Sequence, residues 1–262
     1  MARVFITGSA DGLGLMAGQL LAADGHTVTL HARDEARAEA AASRMPGKCD
    51  MVIGDVATIA AMRSVAEQVN ALGPHDAVIH NVAIGYRETR RLVTEDGLSA
   101  LFAINVLAPY LLTALIERPD RLVYLSSGMH RGGRTDLGDL QWQRRPWNGS
   151  QAYAESKFLD TLLAFAVARR WPDVRSNAVE LGWVPTRMGG PGAPDDLAAA
   201  PVTQAWLAAS DDPAAAVSGR YFYHQKEREP AAETRRAELQ EALLDRCAEL
   251  SGVPLPADQS GP

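Results

Sequence analysis

Apolar runs of four to six residues recur along the first 180 positions: 3–7 RVFIT, 27–31 TVTLH, 50–53 DMVI, 76–80 DAVIH, 121–125 RLVYL and 174–179 VRSNAV. Each is rich in β-branched residues and most end in a turn or helix signal, which predicts strands. The alanine-rich stretches between them predict helices at roughly 13–24, 34–44, 57–71, 95–117 and 151–171. Strands alternating with helices imply a doubly wound α/β domain, a parallel sheet covered on both faces. Residues 129–150, MHRGGRTDLGDLQWQRRPWNGS, break the rhythm as a long insertion after a strand, and such loops are often functional. A Gly/Pro-rich loop follows at 187–195, leading into a short helix to 209, a last strand GRYFYH at 219–224 and an amphipathic helix over 230–250. Residues 1–250 thus read as one domain without repeats, and 251–262 as a frayed tail.

Composition narrows the classes without choosing one. A chain of 262 residues buries roughly three-quarters of its surface without staples. Cys49 and Cys247 match no metal spacing and read as reduced thiols, hence a cytoplasmic protein. No apolar run reaches the ~18 residues of a membrane span, and the N-terminus runs straight into a strand rather than a secretory leader. Net charge is −6 with scattered arginines, which disfavours nucleic acid.

Two motifs carry chemistry. TGSADGLG at 7–14 joins the first strand to the first helix, with Gly8, Gly12 and Gly14 placed for a tight turn, a close approach of backbone to a pyrophosphate, and helix–strand packing. Ser9, Asp11 and Leu13 fill the same turn. Dinucleotide binding is the expectation, with helix N-terminal amides receiving the phosphate. At the end of the next strand Ala32 stands where an acid would hold the ribose hydroxyls of NAD, and Arg33 can meet a 2′-phosphate instead, so NADP(H) is favoured. Asp55 and Val56 follow the third strand, where a carboxylate could accept from adenine or cap a helix. In AYAESK, residues 152–157, Tyr153 and Lys157 stand one helical turn apart. A phenol titrates near pH 10, and an adjacent ammonium would bring it down toward use as an acid or base.

TGSADGLG, GDV at 54–56, HNVA at 80–83, NVLAPY at 105–110, LSS at 125–127, YAESK at 153–157 and GWVPT at 182–186 together resemble the short-chain dehydrogenase/reductase family. The spacing between Ser127 and Tyr153 is most similar to the branch of retinol dehydrogenases and protochlorophyllide reductases. The resemblance implies a single Rossmann-type domain with about seven parallel strands, and places Asn105, Ser127, Tyr153 and Lys157 on the family's catalytic tetrad. It implies that Tyr153 exchanges a proton with a carbonyl oxygen, that Ser127 hydrogen-bonds to that oxygen, that Lys157 also holds the nicotinamide ribose, and that the Asn105 side chain orders a proton-relay water. Asn81, Ala83, Gly182, Val184 and Thr186 fall on further cofactor positions. Three departures stand out: Ala83 for a glycine, Leu181 for a proline, and Asp11 where some NADP-preferring members are basic.

Met129, Trp142, Trp147, Trp183 and Met188 lie in or beside the two irregular loops and suit an apolar pocket. The expected substrate is a small hydrophobic ketone, aldehyde or alcohol. A non-catalytic NADP-binding sensor on the same fold remains the alternative. The helices 95–117 and 151–171 are apolar on more than one face, which leads to the expectation of a homodimer, unless the insertion and the last helix cover them.

Overall fold

A computed structural model of the chain describes residues 1–258. Eight strands form one sheet in the order β3-β2-β1-β4-β5-β6-β7-β8: β1 Arg3–Ile6, β2 Thr27–Ala32, β3 Asp50–Ile53, β4 Ala77–His80, β5 Arg121–Leu125, β6 Arg175–Glu180, β7 Tyr221–Tyr223 and β8 Lys226–Glu227. All pairings are parallel except β7 with β8. The expected seven parallel strands are present, and the eighth is a two-residue antiparallel edge. It turns back through His224 and Gln225, both at positive φ, a conformation uncommon outside glycine.

The helices are α1 Gly12–Ala23, α2 Glu35–Ala42, α3 Ile59–Ala71, α4 Ala100–Phe102, α5 Ala108–Leu115, α6 Gly149–Arg170, α7 Val202–Ala209 and α8 Ala237–Ser251. A π-helical turn, Ala103–Leu107, joins α4 to α5. One apolar cluster lies between the sheet and α3, α5, α6 and α8, and a second between the sheet and α1 and α7. The strand order reverses between β1 and β4, and ligands of open α/β sheets bind in the crevice there, at the carboxyl ends of the strands.

The ground of one expectation changes, and a second needs correcting. Every residue of α6 from Ala152 to Val167 is buried within a single chain. The face that suggested a partner is covered by α8, whose Gln240 accepts from Arg169 Nε at 2.8 Å and whose Glu241 is paired with Arg169 and Arg170. A dimer built on these helices therefore loses its premise. The tail is not frayed through its described part: Tyr110 Oη donates to Val253 O at 2.8 Å, Trp171 Nε1 to Pro256 O at 2.9 Å, and Arg118 to Ala257 O at 2.9 Å. Leu255 packs on the core beside them. Residues 259–262 lie outside the described residues. Among the described residues no helix is long and apolar enough to cross a membrane.

Candidate active site

The turn after β1 is shaped by neutral hydrogen bonds. Gly8, at φ +61°, donates its N–H to His31 Nδ1 at 2.9 Å, and His31 Nε2 meets Gly54 O at 2.8 Å. That pairing requires the proton on Nε2. Burial, opposed by the Gly54 hydrogen bond and Asp55, lowers the His31 pKa and keeps the ring neutral. A side chain at Gly8 would strike the Val82 backbone at 2.8 Å, and one at Gly14 would meet Asn81 Nδ2 at 2.5 Å and Gly8 O at 2.7 Å. Gly12 differs: φ is +57° and a Cβ would meet nothing within 4 Å, so the first residue of α1 faces open space. An open turn of this kind at a helix N-terminus leaves room for a phosphate group beside the backbone amides. Asn81 Nδ2 donates to Thr7 O and Gly8 O, clamping the turn from β4. Ser9 departs from the expected cofactor role. It is fully buried, its amide bonds His31 O, and its hydroxyl donates to Ile6 O at 2.7 Å, so it braces the turn from inside.

The charged groups of this region stand outside on a rim. The Arg33 side chain is 61% exposed and lies 3.5 Å from Asp34, which caps α2 by accepting from the Arg37 amide. Arg37 reaches Asp34 and Asp11, and Arg187 reaches Asp11 at 2.6 Å, tying the phosphate turn to the 187–195 loop. Asp55 is exposed and accepts from the Ala57 amide, while Thr58 caps α3 and Val56 is buried below. Leu13 O accepts from Gln204 on α7. Gly182 needs its φ of +89°, because a Cβ would also strike Asp195 at 2.6 Å, and Asp195 accepts from the Trp183 amide. Val184 is buried, and its carbonyl accepts from the Thr186 amide at 2.7 Å, with the Thr186 hydroxyl taking the Gly189 amide. The departures are absorbed: Ala83 adopts an ordinary backbone conformation, Leu181 joins the second core cluster, and Asp11 is neutralised by two arginines.

The proton-transfer face is built on β5 and α6. The two serines after β5 part company. Ser126 is buried and bonds Lys157 O and Thr161, whereas Ser127 opens the next turn by accepting from the Met129 amide, and its hydroxyl acts on the Tyr153 phenol to favour phenolate. Lys157 Nζ lies 5.8 Å from the Tyr153 ring centre. It donates to Leu125 O at 2.8 Å and to Asp160 Oδ2 at 2.7 Å, in a pair whose side chains are 3% exposed. Burial raises the Tyr153 pKa; Lys157 opposes this, and Asp160 adds to the rise. The expected lowering by Lys157 is present but burial outweighs it, so the phenol is protonated near neutrality. Burial also disfavours charge on Lys157, yet Asp160 and Tyr153 outweigh it and its pKa stands above the ordinary lysine value.

Asn105 sits in the π-helical turn, a device often found at functional sites. Its Oδ1 accepts from the Ile84 amide at 2.8 Å, and Nδ2 donates to Ile84 O and Ser156 Oγ. With both amide donors engaged, the side chain joins the loop after β4 to α6.

Around Tyr153 a small apolar cluster gathers Leu101, Ala152, Ile84, Tyr86, Trp147 and Met188. Met129 and Trp183 are exposed, and Trp183 Nε1 donates to Gly189 O. Trp142 is buried at positive φ with the Arg145 guanidinium 3.8 Å over its ring, and Arg145 pairs with Glu155. It folds the insertion onto α6 while its ring packs edge-on against Trp147 at 5.6 Å in the same apolar cluster as Tyr153, and it lines two cavities beside α6. Sequence reasoning missed Tyr86, edge-on to Tyr153 at 5.5 Å, and Arg37, in the first turn of α2 beside Asp34 and Asp11. It also missed Asp160, whose only signal was an acid inside the apolar run KFLDTLLAF.

The sequence profile described as short chain dehydrogenase matches residues 2–128. The chain is 40% identical over 261 residues to the short-chain dehydrogenase chyC of Penicillium rubens, covering 98% of this chain and 100% of that one. It is 30% identical to human retinol dehydrogenase 13, covering 99% and 87%. A crystal structure of an uncharacterized protein from Mycobacterium Paratuberculosis shares the fold with a TM-score of 0.84 at 24% identity, covering 98% and 95%. The chain belongs to the short-chain dehydrogenase family, in a retinol dehydrogenase-like branch. It is an oxidoreductase acting on CH–OH or C=O groups, and its family binds a nicotinamide cofactor.

Proposed function

We propose that the protein reduces a small hydrophobic ketone or aldehyde with NADPH, Tyr153 delivering a proton to the carbonyl oxygen. The observation that carries this reading is the buried Tyr153, one helical turn from Lys157, whose Nζ lies 5.8 Å from its ring centre, in an apolar cluster with Tyr86 edge-on to it. When bound, the nicotinamide supplies hydride to the carbonyl carbon. Ser127 donates to the oxygen as negative charge develops on it, and Tyr153 hands over its proton. Lys157 stabilises the phenolate left behind and has one N–H free to reach a ribose hydroxyl. Gly12 and the start of α1 would hold the pyrophosphate, Asp55 and Val56 the adenine, and Gly182, Val184 and Thr186 the carboxamide side. Arg33 and Arg37 supply guanidinium donors for a 2′-phosphate, while Ala32 offers no carboxylate to ribose. Ile84, Tyr86, Trp147 and Met188 give the carbonyl an apolar setting, as their packing around Tyr153 supports. A cytoplasmic setting fits the two free thiols.

The test is to mix purified protein with NADPH and a panel of hydrophobic ketones and aldehydes, following loss of the reduced cofactor's absorbance. Carbonyl-dependent consumption is expected. Tight NADPH binding with no consumption across the panel would favour a sensor role instead.

A further inference from the structure

We propose that Asp160 is a positioning residue for proton transfer: its carboxylate holds the Lys157 ammonium against β5 and weakens the field that ammonium exerts on the Tyr153 phenol. The inference rests on the reading of Tyr153 as proton donor. An ammonium has three N–H donors. One is engaged by Leu125 O at 2.8 Å and one by Asp160 Oδ2 at 2.7 Å, so a single donor remains for the side facing Tyr153 and the cofactor. Both side chains of the pair are almost completely enclosed. In such a setting charges interact over distance with little screening, and the sign of each neighbour matters to the phenol.

Stability alone does not explain this carboxylate. Asp160 Oδ1 is buried without a hydrogen-bond partner among the described residues. A half-satisfied buried ion pair is often no better than an apolar replacement. The acid interrupts the run KFLDTLLAF on a helix whose other residues here are mostly apolar. What it does change is the charge balance at Tyr153, where Lys157 favours phenolate and Asp160 favours phenol. The remaining titratable groups facing this pair are Tyr86 after β4, edge-on to Tyr153, and Tyr124 on β5, joined through Thr113 on α5 to His80 on β4. Tyr221 on β7 lies beyond Ser126 and donates to Glu180 on β6. His130 from the turn after β5 and Cys247 from α8 pack against the same helix. Burial holds His80 and His130 neutral near pH 7 and keeps Tyr124, Tyr221 and Cys247 protonated, and Glu180 is engaged by Tyr221. Asp160 is thus the negative charge paired directly with Lys157. By keeping Tyr153 a phenol, it holds the proton donor of carbonyl reduction in place and raises the pH at which the phenolate used in alcohol oxidation forms.

Asp160→Asn keeps an oxygen for Lys157 and nearly the same volume while removing the charge. Two readouts apply: the pH dependence of alcohol oxidation, and the near-ultraviolet phenolate titration of Tyr153, isolated by subtracting the Tyr153→Phe counterpart. Both midpoints are expected to move to lower pH by about one unit, so that alcohol oxidation below its midpoint speeds up by about tenfold at a given pH. Asp160→Glu should restore the wild-type profile. Asp160→Ser, also neutral, carries the same expectation should the Asn variant fold poorly. Midpoints that coincide with wild type, at whatever activity, would overturn the positioning role. Absence of turnover in wild type would sink the carbonyl-reductase reading alone, because the phenolate titration needs no substrate.

Discussion

The phosphate turn and the proton-transfer face share the carboxyl edge of one sheet, yet they place charge in opposite ways. The turn is held by glycine conformation and by neutral donors and acceptors from His31, Ser9 and Asn81, and its charges (Asp11, Arg33, Arg37, Arg187) stay on an exposed rim. The proton-transfer face encloses an ammonium and a carboxylate beside a phenol. Recognition of a phosphate needs only donors at a surface, where charge costs little to keep. Proton transfer needs a phenol whose acidity is set by fixed neighbours, and water would screen those neighbours away. Substitutions should therefore bite hardest at the enclosed group and fade toward the rim.

The largest effect is expected at Tyr153→Phe, which removes only the transferable proton. Turnover should fall by about 10²–10⁴-fold with NADPH affinity nearly unchanged. Retention of more than about a tenth of the rate in a steady-state assay would remove Tyr153 from the acid role.

At the rim, Ala32→Asp with Arg33→Leu exchanges a phosphate donor for an acceptor of ribose hydroxyls. NADPH should weaken by about 30–150-fold, the equivalent of about 2–3 kcal/mol, and NADH should become the tighter ligand. Titration of both cofactors decides it. Equal affinities in wild type would show that the arginine does not select the phosphate.

The neutral hydrogen bonding inside the fold has its own signature in acid. Burial lowers the pKa of His31, His75, His80 and His130, with His80 brought to about 3. The unfolded chain binds these protons near the ordinary 6.5 and the folded one does not, so stability must fall as pH drops from 6.5 toward 3. Asp160, raised to about 6 by burial against the pull of Lys157, works in the opposite sense and offsets one proton of four. Replacing His80 by Gln should flatten the slope of unfolding free energy by up to about 1.4 kcal/mol per pH unit, measured by urea titration between pH 6 and 4. An unchanged slope would mean that His80 is protonated in the folded protein.

Much of this molecule is legible in its sequence because the signals are local. A strand, a glycine turn and a helix lie within residues 3–23, and Tyr153 and Lys157 share one helix, so spacing alone brings them together. What escaped depends on contacts between distant segments. Ser9 reads like a phosphate ligand until His31, 22 residues on, occupies it. Asn105 is legible as a polar residue in an apolar helix, but not that the Ile84 backbone, 21 residues earlier, is what engages it. The apolar faces of α5 and α6 read like a dimer surface until α8 and Val253 cover them, in contacts that span 71 and 143 residues of chain. Asp160 was legible as a residue but not as a partner, since an acid three positions after a lysine is ordinary on a solvated helix and unusual only once the helix is known to be enclosed.

The smallest effect is expected at Asp11, where the sequence departs toward a negative charge beside the phosphate path. Asp11 is 44% exposed and is contacted by Arg37 at 3.4 Å and by Arg187 at 2.6 Å. Exposed pairs of this kind are worth about 0–1 kcal/mol, because water and salt screen them and the side chains lose freedom in making them. The Asp11→Asn variant should therefore leave thermal stability nearly unchanged. For the cofactor the same substitution removes a like charge and frees two guanidinium groups, so NADPH affinity should rise by about two- to fivefold. NADH lacks the 2′-phosphate and should gain less. Because the groups are exposed, the gain should shrink as salt is raised and the screening length falls below about 10 Å. Calorimetric titration at low and high salt separates the possibilities. A loss of NADPH affinity would mean that Asp11 holds the arginines in the geometry the phosphate needs, making the acid a support for recognition and not an obstacle to it.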